Sequence, residues 1–229
     1  MTLTFLLNQA LRNIGVLPTG ASLGAASSQL IEGQDVVNNM IDNWSSDPAM
    51  ALMMPIGSYG LTALTSSYSI GTGQTFNIAR PVQIVAASTK LSNGINRPVK
   101  VCTAQEWAGS RNRSDQGYVV EELFYDRGLP NGKVLVAPTP LGSPSLELIA
   151  WLPLPQFPDA TTNVTLYPAY ARMLELATSM EMAGQYPNAA RLDWVGAQLT
   201  DAKAVVRNLN ASLLGESPAE GQTGPVAEK

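Results

Sequence analysis

The sequence has 229 residues, of which 45% are hydrophobic and only 14% are charged, and its formal net charge is −4. Soluble domains usually carry about 25% charged residues, so this composition predicts that partner proteins cover part of the surface. The negative charge argues against a dedicated nucleic-acid-binding role, because that role needs clustered Lys and Arg side chains. The single cysteine, Cys102, excludes an internal disulfide and favours assembly in a reducing cytoplasm.

Histidine is absent, which excludes Ser-His-Asp and Cys-His catalysis and the usual zinc sites. No cofactor motif is present either, so we expect no cofactor and no bound metal. The first residues, 1–9, lack the basic region of a signal peptide. The most apolar stretch, Pro48 to Ile56, is far shorter than the ~20 residues of a membrane helix. We therefore expect no membrane association.

The N-terminal region predicts a hairpin of two amphipathic helices. The first has apolar residues at helical spacing and stops at Gly15. The second runs from about Ala25 to Ser46, and Asp47-Pro48 ends it. The apolar stripes are Leu3, Leu7, Ala10, Leu11 and Ile14 in the first helix, and Leu30, Val37, Met40, Ile41 and Trp44 in the second.

From about Met53 to Leu152 the pattern changes to short strands separated by turns. The predicted strands are Ile56–Leu61, Tyr68–Ile70, Val82–Leu91, Pro98–Val101, Val119–Tyr125, Lys133–Ala137 and Leu146–Leu152. Ser92-Asn93-Gly94 and Pro130-Asn131-Gly132 are typical of hairpin turns, since Asn-Gly favours positive φ. A short helix is predicted at Ala104–Gly109, and Pro153, Pro155 and Pro158 predict a stiff, extended link.

Two further helices are predicted near the C-terminus. Pro168 suits a helix N-terminus, and Met173, Leu176, Met180 and Ala183 form the apolar stripe of a helix that Pro187 ends. The last helix carries a seam with alternating steps of three and four residues: Leu192, Val195, Leu199, Ala202, Val206, Leu209 and Leu213. Such a seam packs either within the subunit or against a neighbouring subunit, and the spacing does not decide between them.

The segment Gly215–Lys229 is rich in Gly, Pro and Glu and cannot build a core of its own. It is predicted to be an extended docking arm.

Taken together, the predicted elements indicate an α+β fold, with a helical bundle from the N- and C-terminal helices, a central antiparallel β region and an extended C-terminal tail. The predicted bounds are 1–52 for the helical hairpin, 53–160 for the β-rich domain, 161–214 for the C-terminal helices and 215–229 for the tail.

No segment carries a convincing catalytic motif. Gly71-Thr72-Gly73 lacks the third glycine and the Gly-Lys-Ser/Thr of phosphate loops, and a hairpin turn is favoured. A glycosidase pair is conceivable, but Glu121 and Glu122 are adjacent on a strand and point to opposite faces. The other acids, Glu32, Asp42, Glu106, Asp115, Asp126 and Asp159, form no pattern. The densest basic region, Arg97, Lys100, Arg111 and Arg113, is interpreted as an exposed loop that could contact phosphate. Trp44 and Trp107 are expected to be largely buried anchors.

Several short motifs follow one another over about residues 3 to 185, and no single one is specific. They are Asn13-Ile14-Gly15-Val16-Leu17, Val37 to Trp44, Tyr68-Ser69-Ile70-Gly71, Ala79-Arg80-Pro81-Val82, Ala104 to Gly109, Phe124-Tyr125-Asp126, Gly132 to Pro138 and Tyr167-Pro168-Ala169-Tyr170. Their order resembles the head-to-tail adaptor, or tail accessory factor, family of short-tailed bacteriophages. The C-terminal helix and tail match in character more than in sequence.

The resemblance implies a ring of identical subunits, dodecameric in relatives, located in the virion at the head–tail junction and assembled in the host cytoplasm. The ring would bind the portal protein, extend the DNA channel and support tail nozzle and tail fibre proteins, and packaged DNA would pass without sequence-specific binding. The tail would contact the portal through Leu213, Leu214, Pro218, Pro225 and Val226. The alternative implied by the family is a cell-wall-degrading, glycosidase-like virion protein.

Overall fold

The computed structural model describes residues 1–24, 27–47, 49–50, 53–91 and 94–214. Within these residues there are five α-helices, ten β-strands and a 3₁₀ turn at Asn112–Ser114. The helices are α1 Leu3–Asn13, α2 Ser28–Ser45, α3 Ala104–Gly109, α4 Pro168–Ala183 and α5 Leu192–Leu214. The strands are β1 Ile56–Gly60, β2 Ser67–Gly71, β3 Phe76–Asn77, β4 Gln83–Lys90, β5 Asn96–Cys102, β6 Gln116–Gly117, β7 Glu122–Asp126, β8 Gly132–Ala137, β9 Thr139–Pro140 and β10 Ser145–Trp151.

The chain forms two compact units, which are described separately below. The first combines Met1–Ala51 with Leu154–Lys229, and the second is Leu52–Pro153. The first unit is therefore discontinuous in sequence. The division at 52/53, 160/161 and 214/215 inferred from the sequence stays a prediction.

In the first unit, α1, α2, α4 and α5 pack on one another. The apolar stripe predicted for α1 is fully buried, and Gly15 ends the helix with a φ of +72°. A positive φ costs glycine little and other residues more, which explains the stop. The helix begins where the Thr2 hydroxyl accepts a hydrogen bond from the Phe5 amide.

The second helix, α2, begins at Ser28 and not at the predicted Ala25, which lies outside the described residues, as does Pro48. The predicted start of α4 at Pro168 is confirmed. Its predicted stripe is partly wrong, because Met180 is 36% exposed while Met182 is fully buried.

The contact between α1 and α2 depends on Gly33. A Cβ atom at this position would lie 2.6 Å from Cδ1 and 2.8 Å from Cδ2 of Leu7. Leu7 is fully buried, so its methyl groups have little room to move away. Gly33 therefore sets how closely the two helices approach.

The predicted fold class, a helical bundle with a central antiparallel β region, is wrong. The main element of the structure is a large, mixed, eight-stranded sheet in the second unit, with strand order β1-β10-β4-β5-β7-β8-β2-β3. Most neighbours are antiparallel, but β5 pairs with β7 and β2 pairs with β3 in parallel. A separate two-stranded sheet, β6 with β9, is also parallel.

The parallel pairing of β5 and β7 follows from α3, which carries the chain over between them. Thr103 caps this helix in a capping box with Glu106, and Trp107 is buried against β5 and β7. Because a crossover connection lets two neighbouring strands run in the same direction, the helix predicted at Ala104–Gly109 allows β5 and β7 to be parallel neighbours.

The sheet is nearly closed. The rings of Tyr59 on β1 and Phe76 on β3, the two edge strands, stack with centroids 4.6 Å apart. One face of the sheet is buried in a single cluster, with Leu123 and Tyr125 of β7 and Val134 and Val136 of β8 pointing into it. The intervening Phe124 and Leu135 point to the other face and pack with Trp107.

Each predicted strand is present, although its bounds differ by a few residues. The two-residue strands β3, β6 and β9 were missed, because they are too short to show any periodicity. The prediction of a β-hairpin turn at Gly71-Thr72-Gly73 is wrong. The loop is a tight turn, with Gly73 at φ +74°, but it joins two strands that pair in parallel.

The predicted hairpin between β7 and β8 is confirmed, but for a different reason from the one expected. Among the described residues with positive φ, neither Asn131 nor Gly132 appears. Glycine is needed at 132 because a Cβ atom there would lie 2.5 Å from Cε2 of Tyr125. In the β4–β5 hairpin Gly94 has a φ of +81°, while Ser92 and Asn93 lie outside the described residues.

Two helical glycines provide a matched test of the α1–α2 contact. Gly33→Ala should lower the free energy of unfolding by ~1–3 kcal/mol, because the added methyl group overpacks Leu7. Gly196→Ala in α5 should raise it by ~0.5–1 kcal/mol, because alanine is the better helix former and nothing lies within 4 Å of the new atom. Urea denaturation of both variants measures the difference. If Gly33→Ala raised the free energy of unfolding, α1 and α2 could move apart without loss of stability, and Gly33 would not set their distance.

Candidate interaction surface

The helix α5 uses one face to pack inside its own unit. Val195, Leu199 and Ala202 pack in a cluster that contains residues of α1 and α4, and Val206 is fully buried. The intramolecular interpretation of the predicted seam is therefore confirmed for these four residues. Leu192 and Leu209 are 37% and 40% exposed and do not belong to the buried face.

Among the residues of α5 whose side chains are described, the last buried one is Asn210 and not Leu209. Asn210 is fully buried, and its side chain pairs with the hydroxyl of Tyr170 on α4. A straight helix has 3.6 residues per turn, so a strict seven-residue repeat rotates slowly out of the interface. By the last turns of α5 this rotation brings residue 210 to the inside.

A second face of α5 is exposed along most of the helix. This outer face of α5 consists of Trp194, Ala197, Asp201, Ala204, Val205 and Asn208. Trp194 is 50% and Val205 57% exposed, and Asp201 is the single charged residue in the set. The sequence could have predicted this face, because its residues repeat at steps of three and four next to the predicted seam. Trp194 was nevertheless missed.

Beside α5, the helices α2, α4 and α5 line a groove of about 370 Å³. Trp44 and Met40 of α2, Met180 of α4 and Leu199 of α5 form its apolar part, and Asn39, Asn43, Glu181 and Lys203 are among its polar residues. Most of the Trp44 side chain is shielded from solvent, as expected, although it is not completely buried. Its placement between the helical hairpin and the C-terminal helices is confirmed.

In the second unit, Trp107 is buried as expected and stacks on Phe124 with ring centroids 5.9 Å apart. The guanidinium of Arg113 lies 5.4 Å from the centroid of the Trp107 ring. Lys100 Nζ is 2.7 Å from Glu106 Oε1. Two of the cations in the predicted basic region are thus engaged within the protein.

The candidate acids are dispersed and have structural partners. The hydrogen bond and ion pair from Lys100, together with the hydrogen bonds from Thr103, lower the pKa of Glu106 to about 2. Hydrogen bonds from Thr162 and Thr161 likewise lower the pKa of Asp159. A carboxyl group with a lowered pKa stays ionised at neutral pH and is poorly suited to be a general acid.

Two of the remaining acids have local partners, and the other four are exposed. Glu122 pairs with the hydroxyl of Ser110, and Glu121 precedes β7 and is exposed. Asp42 accepts a hydrogen bond of 2.7 Å from Gln156. Glu32, Asp115 and Asp126 are exposed. Of the predicted acids, Glu106 and Glu122 both lie near Lys100, and the structure does not gather the others around them.

The residues predicted to contact a portal are at the C-terminal end. Leu213 and Leu214 form the last turn of α5. Their side chains, and Pro218, Pro225 and Val226 altogether, lie outside the described residues. Their role stays a prediction.

Within the described ranges, no three His, Cys, Asp or Glu side chains gather in a way that could hold a metal ion. No helix in the same part of the chain is long and apolar enough to span a bilayer.

No protein-family model matches the chain, and no curated protein matches it either. Among solved structures, the chain is weakly similar to a chain from "Neck of empty GTA particle computed with C6 symmetry". The identity is 13%, the match covers 84% of this chain and 87% of that chain, and the TM-score is 0.27.

The cause assigned to the lowered pKa of Glu106 can be tested directly. Lys100→Met should raise this pKa from about 2 towards the ordinary value of 4.5, because the carboxylate loses the hydrogen bond from Lys100 that stabilises its charged form most. Lys90→Met removes a lysine that pairs with Glu147 and should leave the Glu106 pKa unchanged. Titration of the side-chain carboxyl carbons by NMR measures both. Equal Glu106 pKa values in the two variants would contradict the assignment.

Proposed function

We propose that this protein is a structural head-to-tail adaptor of a short-tailed bacteriophage. It forms a dodecameric ring that binds the portal protein, extends the DNA channel and provides a platform for tail nozzle and tail fibre proteins. The observation that carries this proposal is the order of family-like motifs along residues 3 to 185. The proposal places the protein in the virion.

The structural roles of these motifs support the proposal. Gly15 ends α1 at a positive φ, and Trp107 anchors the crossover helix α3. Gly132 accommodates the Tyr125 ring, and Pro168 occupies the first turn of α4. The motifs therefore coincide with positions that determine the path of the chain, as expected if they belong to one conserved architecture.

The surface of the helical unit supports an oligomer. Large side chains such as Trp194 and Val205 are half-exposed on the outer face of α5, and exposed aromatic residues are common anchors of protein interfaces. The chain as a whole carries only 14% charged residues. Such a composition suits a subunit whose sides are covered by identical neighbours.

The charge supports a channel through which DNA passes without sequence-specific binding. The net charge is −4, so phosphate groups are repelled overall. Arg113 is stacked on Trp107 and Lys100 is paired with Glu106. The ion pair of Lys100 offsets one positive charge of the predicted basic region, whereas Arg113 keeps its charge and is held against the Trp107 ring.

We also propose that the protein has no catalytic role. The dispersed acids and the low pKa of Glu106 support this over the glycosidase alternative, which needs one carboxyl group that stays protonated. The result that would favour the alternative is release of peptidoglycan fragments that a single Asp or Glu substitution abolishes.

The ring and the role of the outer face of α5 can be tested together by native mass spectrometry, with and without portal protein. The wild-type protein should form a closed oligomer. Trp194→Ser combined with Val205→Ser should weaken assembly by tenfold or more, since each side chain loses apolar contact area. Tyr118→Ser, which removes a 73% exposed aromatic residue from the sheet unit, is the matched control and should assemble normally. A protein that stays monomeric in both conditions would overturn the ring.

The docking role of the C-terminal segment has its own test. Deleting residues 216–229 should leave the melting temperature nearly unchanged, because the segment lacks the apolar residues of a core. The same deletion should weaken attachment to portal-bearing heads, measured by co-sedimentation. Full attachment of the truncated protein, or its unfolding, would refute the docking arm.

A further inference from the structure

The segment Leu154–Pro158, here called the strap, lies along α2 without forming a strand or a helix. Its sequence is Leu-Pro-Gln-Phe-Pro. Phe157 is fully buried and Leu154 is 5% exposed, while Gln156 and Pro158 are exposed. The strap therefore inserts two apolar side chains, three residues apart, into the helical unit and leaves Gln156 outside.

Polar side chains on one face of α2 hold the main chain of the strap. The Asn38 carboxamide makes two bonds to Phe157. Its Oδ1 accepts from the Phe157 amide at 2.9 Å, and its Nδ2 donates to the Phe157 carbonyl at 3.0 Å. A carboxamide can imitate a peptide group in this way, because it carries one acceptor and donors side by side.

Side chains of α2 on either side of Asn38 make further hydrogen bonds to the strap. Gln34 Nε2 donates to the carbonyls of Phe157 and Pro158, each at 3.0 Å. Ser45 Oγ accepts from the Leu154 amide at 2.9 Å. Asp42 accepts from the Gln156 side chain.

The four side chains share one face of the helix. Positions 34, 38, 42 and 45 are separated by steps of four, four and three residues, which is the spacing of one helical stripe. The order of contacts shows that the strap runs antiparallel to α2. We call Gln34, Asn38, Asp42 and Ser45 the α2 stripe.

The prolines make the strap suited to this kind of recognition. Pro155 and Pro158 have no amide hydrogen and restrict φ, so the strap loses less chain entropy on docking than a flexible segment would. Two of its three amide hydrogens, on Leu154 and Phe157, are bonded by the stripe. Proline-containing peptides docked on a protein surface are recognised by the same physics.

We propose that the α2 stripe is a recognition site for an extended, proline-containing segment, and that the strap is its resident ligand. The hydrogen bonds to the main chain of the strap come from side chains of α2 and not from a strand ladder, so releasing the strap and its two buried side chains breaks no sheet ladder. The strap therefore undocks as a local event while α1 and α4 stay packed. This inference does not depend on the proposed adaptor function.

Amide hydrogen exchange measured by NMR on the full chain tests the proposal. Asn38→Asp keeps an acceptor for the Phe157 amide but turns the donor to its carbonyl into a repelling oxygen. Exchange at Leu154 and Phe157 should accelerate at least tenfold, which corresponds to about 1.4 kcal/mol. Exchange at Leu176, in the buried part of α4, should not change. Asn39→Asp, which adds the same charge at an exposed neighbouring position, should leave all three amides unchanged.

If Asn38→Asp does not fold, a second pair of variants, Ser45→Ala and Ser46→Ala, tests the same proposal. Ser45→Ala removes the acceptor of the Leu154 amide and should accelerate its exchange. Ser46→Ala, which removes a hydroxyl that donates only to the main-chain carbonyl of Asp42 at the end of α2, should not. The proposal is overturned if exchange in the strap and at Leu176 accelerates equally, since the strap would then open only with the whole unit. It is also overturned if each variant behaves like its control.

Discussion

The carboxamide of Asn38, bonded to both main-chain groups of Phe157, holds together two parts of a unit that are far apart in sequence. The chain leaves the helical unit after Ala51 and returns at Leu154, so the packing of α1 and α2 against α4 and α5 closes a loop that contains the whole sheet. Closing such a loop costs chain entropy. The strap is the first returning segment, and its buried Phe157 and Leu154 help offset that cost where the loop closes.

In the sheet unit, the crossover helix α3 has the corresponding role. Because α3 carries the chain between β5 and β7, these strands become parallel neighbours in the middle of the sheet. Trp107 packs on Phe124 at one face of β7, while Leu123 and Tyr125 enter the main core at the other. One short helix thus accounts for the pairing of β5 with β7 and covers part of the second sheet face.

The two faces of α5 connect the fold with the proposed adaptor role. One face, with Val195 and Val206, is buried inside the subunit. The other keeps Trp194 and Val205 half-exposed, and it is the surface that we propose to lie against another subunit. A helix with apolar residues on both faces is expected where a domain belongs to a larger assembly.

The sequence by itself determined the local structure. Helix periodicity, Gly15, Pro168 and the capping residues of α3 act within a few residues of the chain, so α1, α3 and α4 and the longer strands were predictable. Tertiary structure alone decided the strand order and the burial of Asn210 in place of Leu209. These features depend on contacts between segments distant in sequence, and neither periodicity nor propensity records which segments meet. The α2 stripe has the same origin, because Gln34, Asn38 and Ser45 look like an ordinary polar helix face until the strap lies on them.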